Sequence, residues 1–281
     1  VAQLNTPVNA RADRRLAKVR WGRGAVLLVG ALYFLVPLAA SAYFSVDSRK
    51  GIDFHAYTQL LQAPGFLTAL QLSLELAVTS VVLLLLVLVP AMIAVRLGAP
   101  RLRPVLEFLC SLPLVVPVVA LTTGISNVLG WAPQLRATPF YQTLMAIQDQ
   151  NFPFVLVLAY VPMALPFAYR ALDGGLRGVD VRTLVEAARS CGASVPRAVV
   201  SVVLPNLRSA LLNASVITVA MVLGEFTTAA ILGFAPFSVW INSNGKSDGQ
   251  MSVAVSILSL AIVWLLLLLM NALGRQRRAK A

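Results

Sequence analysis

Charge is scarce in this sequence. Asp, Glu, Lys and Arg make up 12% of its 281 residues, and 58% are hydrophobic. Soluble domains carry roughly 25% charged residues, so the deficit excludes a water-soluble globular chain. Histidine is scarcer: His55 is the only one, and the two cysteines, Cys110 and Cys191, have no His at metal-ligand spacing. A Cys/His metal centre is therefore excluded, and both thiols are expected to be reduced and structural. No nucleophile–base pair or metal cluster stands out, which argues against an enzyme. A phosphate-binding loop is also missing. Gly245-Lys246-Ser247 resembles its end, but the position five residues earlier, where a Gly is required, holds Trp240. Asn213-Ala214-Ser215 has the form of a glycosylation acceptor but falls inside an apolar run.

What is present is long apolar segments. Six, at about 24–46, 67–95, 105–130, 152–171, 208–234 and 252–273, are long enough for a hydrocarbon core of about 30 Å, which a helix of about 20 residues crosses. They do not alternate apolar and polar residues, so they read as helices and not as barrel strands. The net charge of +12 is spread unevenly: 19 of the 23 Lys and Arg fall at 11–23, 96–103, 170–208 and 275–280. The other segments between spans keep only Arg49, Lys50, Arg136 and Lys246. Basic residues accumulate on the cytoplasmic side, so both termini are expected in the cytosol. No nucleic-acid fold accompanies the charge, and nucleic acid is not an expected partner.

The expected organisation is a cytoplasmic tail at 1–23, a membrane domain at 24–273 with a long cytosolic loop at about 171–207, and a cytoplasmic tail at 274–281. Basic residues 11–23 and Ala40-Ser41-Ala42 resemble a cleavable signal, but the long apolar run and Pro37 favour a retained first helix. Outside, Phe54, Tyr57, Leu60 and Leu61 recur at helical spacing and suggest a short surface helix. Trp131 and Tyr141 suit an interfacial belt. The prolines concentrate in the spans. Pro113 with Pro117, and Pro162 with Pro166, can bend helices around a cavity, or reflect the tolerance of membrane helices for proline.

Three acids lie in or near spans. Glu107 could pair with Arg101 or Arg103, and Glu75 is near the outer end of the second span. Glu225 lies well inside the fifth, in Leu223-Gly224-Glu225-Phe226-Thr227-Thr228. A charge at membrane depth costs about 2.5–3.5 kcal/mol on insertion scales and faces a protein interior or a wet cavity. Glu225, with Phe226 and Thr227, is therefore the candidate substrate pathway. A carboxyl held by a neighbouring Thr is the competing structural reading.

Residues 186–205, EAARSCGASVPRAVVSVVLP, hold the densest pattern. Arg182 to Arg189 can form a helix, and Ala187 and Ala188 give it a smooth patch. Gly192 accepts the positive φ of a turn. Ser194 suits an N-cap, and Pro196 is tolerated in the next first turn. Pro205 separates the apolar second piece from the fifth span. A helix–turn–helix of this kind suits docking on a partner; an amphipathic helix lying on the lipid surface is the competing reading.

Glu186-Ala187-Ala188, Gly192, Val202 and Leu204-Pro205 together resemble the cytoplasmic loop signature of binding-protein-dependent ABC importer permeases. Val202 stands where Ile is commoner. The resemblance covers about residues 24–273. It implies an all-α membrane protein with six transmembrane helices, the type I importer permease (MetI-like) fold, and cytoplasmic coupling helices. Glu186, Ala187, Ala188, Gly192, Leu204 and Pro205 are then the ATPase-coupling loop. The implied partners are a cytosolic ABC ATPase dimer, a second permease subunit identical or homologous, an extracytoplasmic solute-binding protein and the lipid of a bacterial inner membrane. The chain is expected to be non-catalytic and to hold no cofactor or metal of its own, since ATP and Mg belong to the ATPase. Ser111-Leu112-Pro113-Leu114-Val115-Val116-Pro117, Leu165-Pro166-Phe167 and Glu225-Phe226 resemble the spermidine/putrescine branch, which implies a polyamine cargo. Permeases for 2-aminoethylphosphonate, ferric iron, sulfate, molybdate or thiamine share parts of the pattern. A stand-alone channel or ion-coupled transporter is the alternative from another class.

Overall fold

The structure, a computed structural model, describes residues 8–48, 51–54, 57–58, 62–244 and 249–276. His55, Leu60, Leu61 and Gly245-Lys246-Ser247 lie outside the described residues. The long helices are α1 (Val8–Val46), α2 (Phe66–Gly98), α6 (Phe154–Arg177), α10 (Arg208–Gly224) and α13 (Gly249–Gln276). Shorter helices join them: α3 (Arg103–Ser111), α4 (Val118–Leu129), α5 (Pro139–Ala146), α7 (Val181–Ser190), α8 (Val195–Ala198), α9 (Leu204–Asn206), α11 (Thr227–Leu232) and α12 (Phe237–Asn244). The described residues are helical apart from turns and one small antiparallel pair, Asp47–Ser48 with Gly51–Ile52.

Four helical segments are long and apolar enough to cross a membrane: Gly24–Val46, Phe66–Gly98, Phe154–Arg177 and Gly249–Met270. Two bent pairs raise the number to six when each is taken as one span. Pro100–Leu114 meets Val118–Leu135 at 91°, and Val195–Asn206 meets Arg208–Gly224 at 75°. The first bend lies at the Pro113/Pro117 pair. Pro117 has φ −58° and ψ 138°, and a proline there removes a donor and pushes the preceding residue out of the helical region. Pro162 and Pro166 behave differently, because α6 runs unbroken past both.

Helix α1 begins at Val8 and runs into the expected first span, Gly24–Val46; the Ala, Arg, Leu and Lys content of its first turns favours helix. Two expectations need correction. Helix α6 extends to Arg177, so the loop expected from 171 begins later. The fifth span is not continuous: α10 stops at Gly224, and Glu225 is extended, with φ −78° and ψ 123°.

Packing is densest where α2, α6 and α10 meet. Leu84, Leu88, Ala164, Ala168, Leu172, Leu207 and Ala214 form one buried cluster there. Lipid is as apolar as leucine, so close approach and van der Waals contact hold such helices. Gly175 shows how close: a Cβ at that position would lie 2.3 Å from the Ala210 Cβ. At one end of the bundle, Phe66, Phe237 and Trp240 form an aromatic cluster. Phe237 and Trp240 stack at 6.0 Å, and Phe66 meets both edge-on. Helix α1 is peripheral and packs on α13; its Val26, Leu27 and Tyr33 point outward, as a lipid-facing helix requires.

Candidate functional site

The segment from Asp180 to Leu207 forms a helical hairpin at the Arg-rich end of the bundle. Asp180 caps α7: its carboxylate accepts from the Thr183 amide at 3.2 Å and from the Thr183 hydroxyl at 2.7 Å. These bonds, the hydroxyl first, hold the Asp180 carboxyl below the usual aspartate range. Val181 and Val185 turn inward and are buried. They are four residues apart and so lie on one helix face. The opposite face presents Arg182, Glu186, Ala187 and Arg189 to the surroundings. Arg182 and Glu186 pair at 2.9 Å, and the bond raises the Arg182 guanidinium above its ordinary value.

Gly192 ends the helix at φ +85°. The Ala193 amide returns to the Ala188 carbonyl at 3.1 Å and the Gly192 amide to the Arg189 carbonyl at 2.9 Å. That is the left-handed C-terminal turn that glycine supplies without a Cβ penalty. Ser194 occupies the N-cap position of α8, but its side chain makes no capping bond. Pro196 sits in the first turn, as expected. The chain then passes through a π-helical turn, Val199–Val203, into α9, which holds Leu204 and Pro205. The bend to α10 falls at Leu207. Ala188, Leu204 and Val199 pack on the buried cluster, so the hairpin is fixed to the membrane helices and not loosely tethered. Cys191 is exposed on the turn, whereas Cys110 is buried.

The sequence reading missed Asp173. It lies in the last turns of α6, almost covered, and three arginines surround it. Arg96 of α2 approaches at 2.7 Å, Arg103 of α3 at 3.1 Å and Arg177 of α6 at 2.8 Å. Arg96 also donates to the Leu176 carbonyl at 3.0 Å, which satisfies an orphan acceptor at the helix end. Arg103 therefore turns to Asp173 and not to Glu107, contrary to the pairing expected. The available signal was weak: Asp173 and Arg177 are four apart on one face, but Arg96 and Arg103 are 77 and 70 residues away.

Glu225, Phe226 and Thr227 lie at the break between α10 and α11. The Glu225 carboxylate accepts from the Thr228 amide at 3.0 and 3.2 Å. The Ser238 hydroxyl donates to its main-chain carbonyl at 2.6 Å. Glu225 is half-buried, and its carboxylate is engaged in capping α11. Thr228 is itself buried and receives a 3.2 Å hydrogen bond from the Thr122 hydroxyl, which joins α4 to α11. Elsewhere, Glu75 accepts from Gln71 at 2.8 Å and lines a shallow groove of about 360 Å³ with Leu74, Val78, Thr79 and Phe152. Among the described residues no group of three His, Cys, Asp or Glu is placed to hold a metal.

Residues 86–278 match the family described as binding-protein-dependent transport system inner membrane component. A probable molybdenum ABC transporter permease of Haloferax volcanii is 29% identical over 284 residues, covering 94% of each chain. A molybdenum transport system permease of Mycobacterium bovis is 28% identical over 253 residues, covering 86% of this chain and 89% of its own. A spermidine/putrescine transport system permease of Haemophilus influenzae is 25% identical over 221 residues, covering 75% of this chain and 77% of its own. In fold, a bacterial ABC transporter chain involved in alginate import superposes with a TM-score of 0.70 at 15% identity, covering 95% of this chain and 99% of that one.

Proposed function

The chain belongs to the binding-protein-dependent transport system inner membrane components, the permeases of ABC importers, and from that premise we propose that it forms half of an oxyanion pathway driven by a cytosolic ATPase. The hairpin is the docking element. One observation carries this reading: a capped, rigidly seated helix turns the Glu186–Ala187 face outward while its Val181–Val185 face is buried. A short helix presented in that way can enter a groove on a partner. Glu186, Ala187, Ala188 and Gly192 shape the docking surface, and Leu204 and Pro205 seat it. The Arg-rich end then faces the cytosol, with both termini on that side. The chain catalyses nothing itself; ATP and Mg are held by the partner. A second permease chain, identical or homologous, completes the pathway, and an extracytoplasmic binding protein supplies solute at the aromatic end.

The cargo reading shifts from polyamine to a molybdenum-type oxyanion. The molybdenum permeases match over more of the chain and at higher identity than the polyamine permease. The Glu225 carboxylate accepts from the Thr228 amide, a capping bond that accounts for a carboxyl at this depth without a cationic cargo. Glu225, Phe226 and Thr227 border the pathway in this reading, with Glu225 as a structural cap of the helix break.

Proteoliposomes holding the assembled permease, ATPase and binding protein test the proposal with labelled molybdate and labelled spermidine. Molybdate uptake that requires ATP is the expected result. Spermidine uptake without molybdate uptake overturns the cargo, and uptake by the permease alone overturns the subunit role. Cys191 supplies a check on docking: its labelling by a maleimide should slow when the ATPase is added, and unchanged labelling counts against the hairpin as the contact.

A further inference from the structure

We propose that the Asp173–Arg103 bridge is the link through which displacement of the docking helix reaches the bent α3–α4 span, which makes Asp173 a positioning residue for coupled transport. The inference rests on the permease reading above and adds the side chains that carry the motion.

The connection from docking helix to α6 is short and stiff. Only Gly178, Val179 and Asp180 separate Arg177 from Val181. Their backbone is tied by Gly178 N–H to the Gly175 carbonyl and by Val181 N–H to the Val179 carbonyl. A push on α7 is thus delivered to the last turns of α6, where Asp173 sits.

The three arginines divide the work unequally. Arg96 grips both Asp173 and the Leu176 carbonyl, so α2 and the end of α6 move as one body. Arg177 belongs to α6 itself and adds charge without joining elements. Arg103 touches both Asp173 oxygens, at 3.2 and 3.1 Å. Among the described residues it makes the one ion pair that reaches α3. Helix α3 is one arm of the 91° bend, and the other arm, α4, is bonded to α11 through Thr122 and Thr228. The route therefore runs from the docking helix to the helix break at Glu225 through packed or bonded neighbours.

The surplus of arginine suits a link that breaks and reforms. An ionised carboxylate offers about four acceptor positions. Asp173 can release Arg103 while Arg96 and Arg177 still satisfy it, so the penalty of a stranded buried charge is avoided. Two discrete arrangements of one contact are what a coupling element requires.

The test compares Arg103→Gln with Arg177→Gln in the reconstituted complex, with solute uptake and ATP hydrolysis measured together. Each variant removes one positive charge from the same carboxylate, but only the first cuts a tie between elements. Arg103→Gln should lower solute moved per ATP by about tenfold, while Arg177→Gln stays within about twofold. A general structural or electrostatic role predicts equal effects, and equal effects overturn the bridge. So does a wild-type ratio in Arg103→Gln. If Arg103→Gln does not assemble, Arg103→Lys is read instead, since it keeps the charge and loses the guanidinium plane. A lowered ratio in that variant supports the bridge and an unchanged ratio overturns it. Uptake by the wild-type complex without ATP hydrolysis would instead sink the permease reading itself, so the two failures are distinct.

Discussion

The two ends of the bundle are held by opposite kinds of interaction. At the Arg-rich end, directional bonds dominate: one carboxylate, three guanidinium groups, a helix cap and a glycine turn. At the other end, Phe66, Phe237 and Trp240 interlock, the Trp240 ring N–H reaches the Pro64 carbonyl at 3.1 Å, and Ser73 accepts from the Phe237 amide at 2.8 Å. Ion pairs can exchange partners, whereas a stacked aromatic cluster has to come apart as a unit. On the coupling proposed above, movement belongs to the first end and anchorage to the second.

Four measurements break or sharpen that contrast. The largest effect is expected from Asp173→Asn, which leaves three arginines without their carboxylate; loss of one partner of a fully buried ion pair costs about 3–5 kcal/mol, and the low end applies here because Arg103 and Arg177 are partly exposed. Thermal unfolding of the purified protein in detergent should show a correspondingly lowered midpoint, and a midpoint within a degree of wild type would mean that solvent already compensates the cluster. Trp240→Ala comes next at about 3 kcal/mol, near the low end for removing a buried aromatic. Its ATP-driven transport per folded complex should be unchanged, since the anchor does not carry the stroke; a coupling defect there would erase the distinction between the ends. Gly192→Ala should cost about 1 kcal/mol for the left-handed backbone, with no steric clash, because nothing lies within 4 Å of the added Cβ. A stability equal to wild type in chemical denaturation would show that the turn relaxes freely.

The smallest effect concerns pH. The folded Asp180 carboxyl titrates below its ordinary value, so its contribution is complete above that value, about 3.9, and fades as pH falls through the lower folded one. The Thr183 amide resonance should stay constant from neutral pH to about 4 and move only below it. A transition centred above that value would contradict the cap.

The helical hairpin from Asp180 to Leu207 was legible because its determinants are local. Gly192, Pro196 and the helix spacing of residues 182–189 act on their immediate neighbours, and the structure places the turn where those residues put it. The position and apolar content of the long spans were equally readable, since length and hydropathy decide them. What could not be read was long-range. The Asp173 cluster draws on residues from α2, α3 and α6, and the sequence offers Arg103 the nearer Glu107 as well. The break at Glu225 was hidden for a different reason. Residues 208–234 are apolar throughout apart from a few polar positions, so hydropathy reports one span, while inside it Glu225 turns extended and its carboxylate caps the start of a new helix at Thr228. The two proline pairs show the limit of a local rule: alike in spacing, one marks a sharp bend and the other lies within a continuous helix.

The missing Cβ at Gly175 has a mechanical consequence. With that glycine seated on Ala210, α6 and α10 approach more closely than a methyl group at 175 would allow. Any larger residue there has to wedge the two helices apart, so the interval between them is set by the absence of one carbon atom.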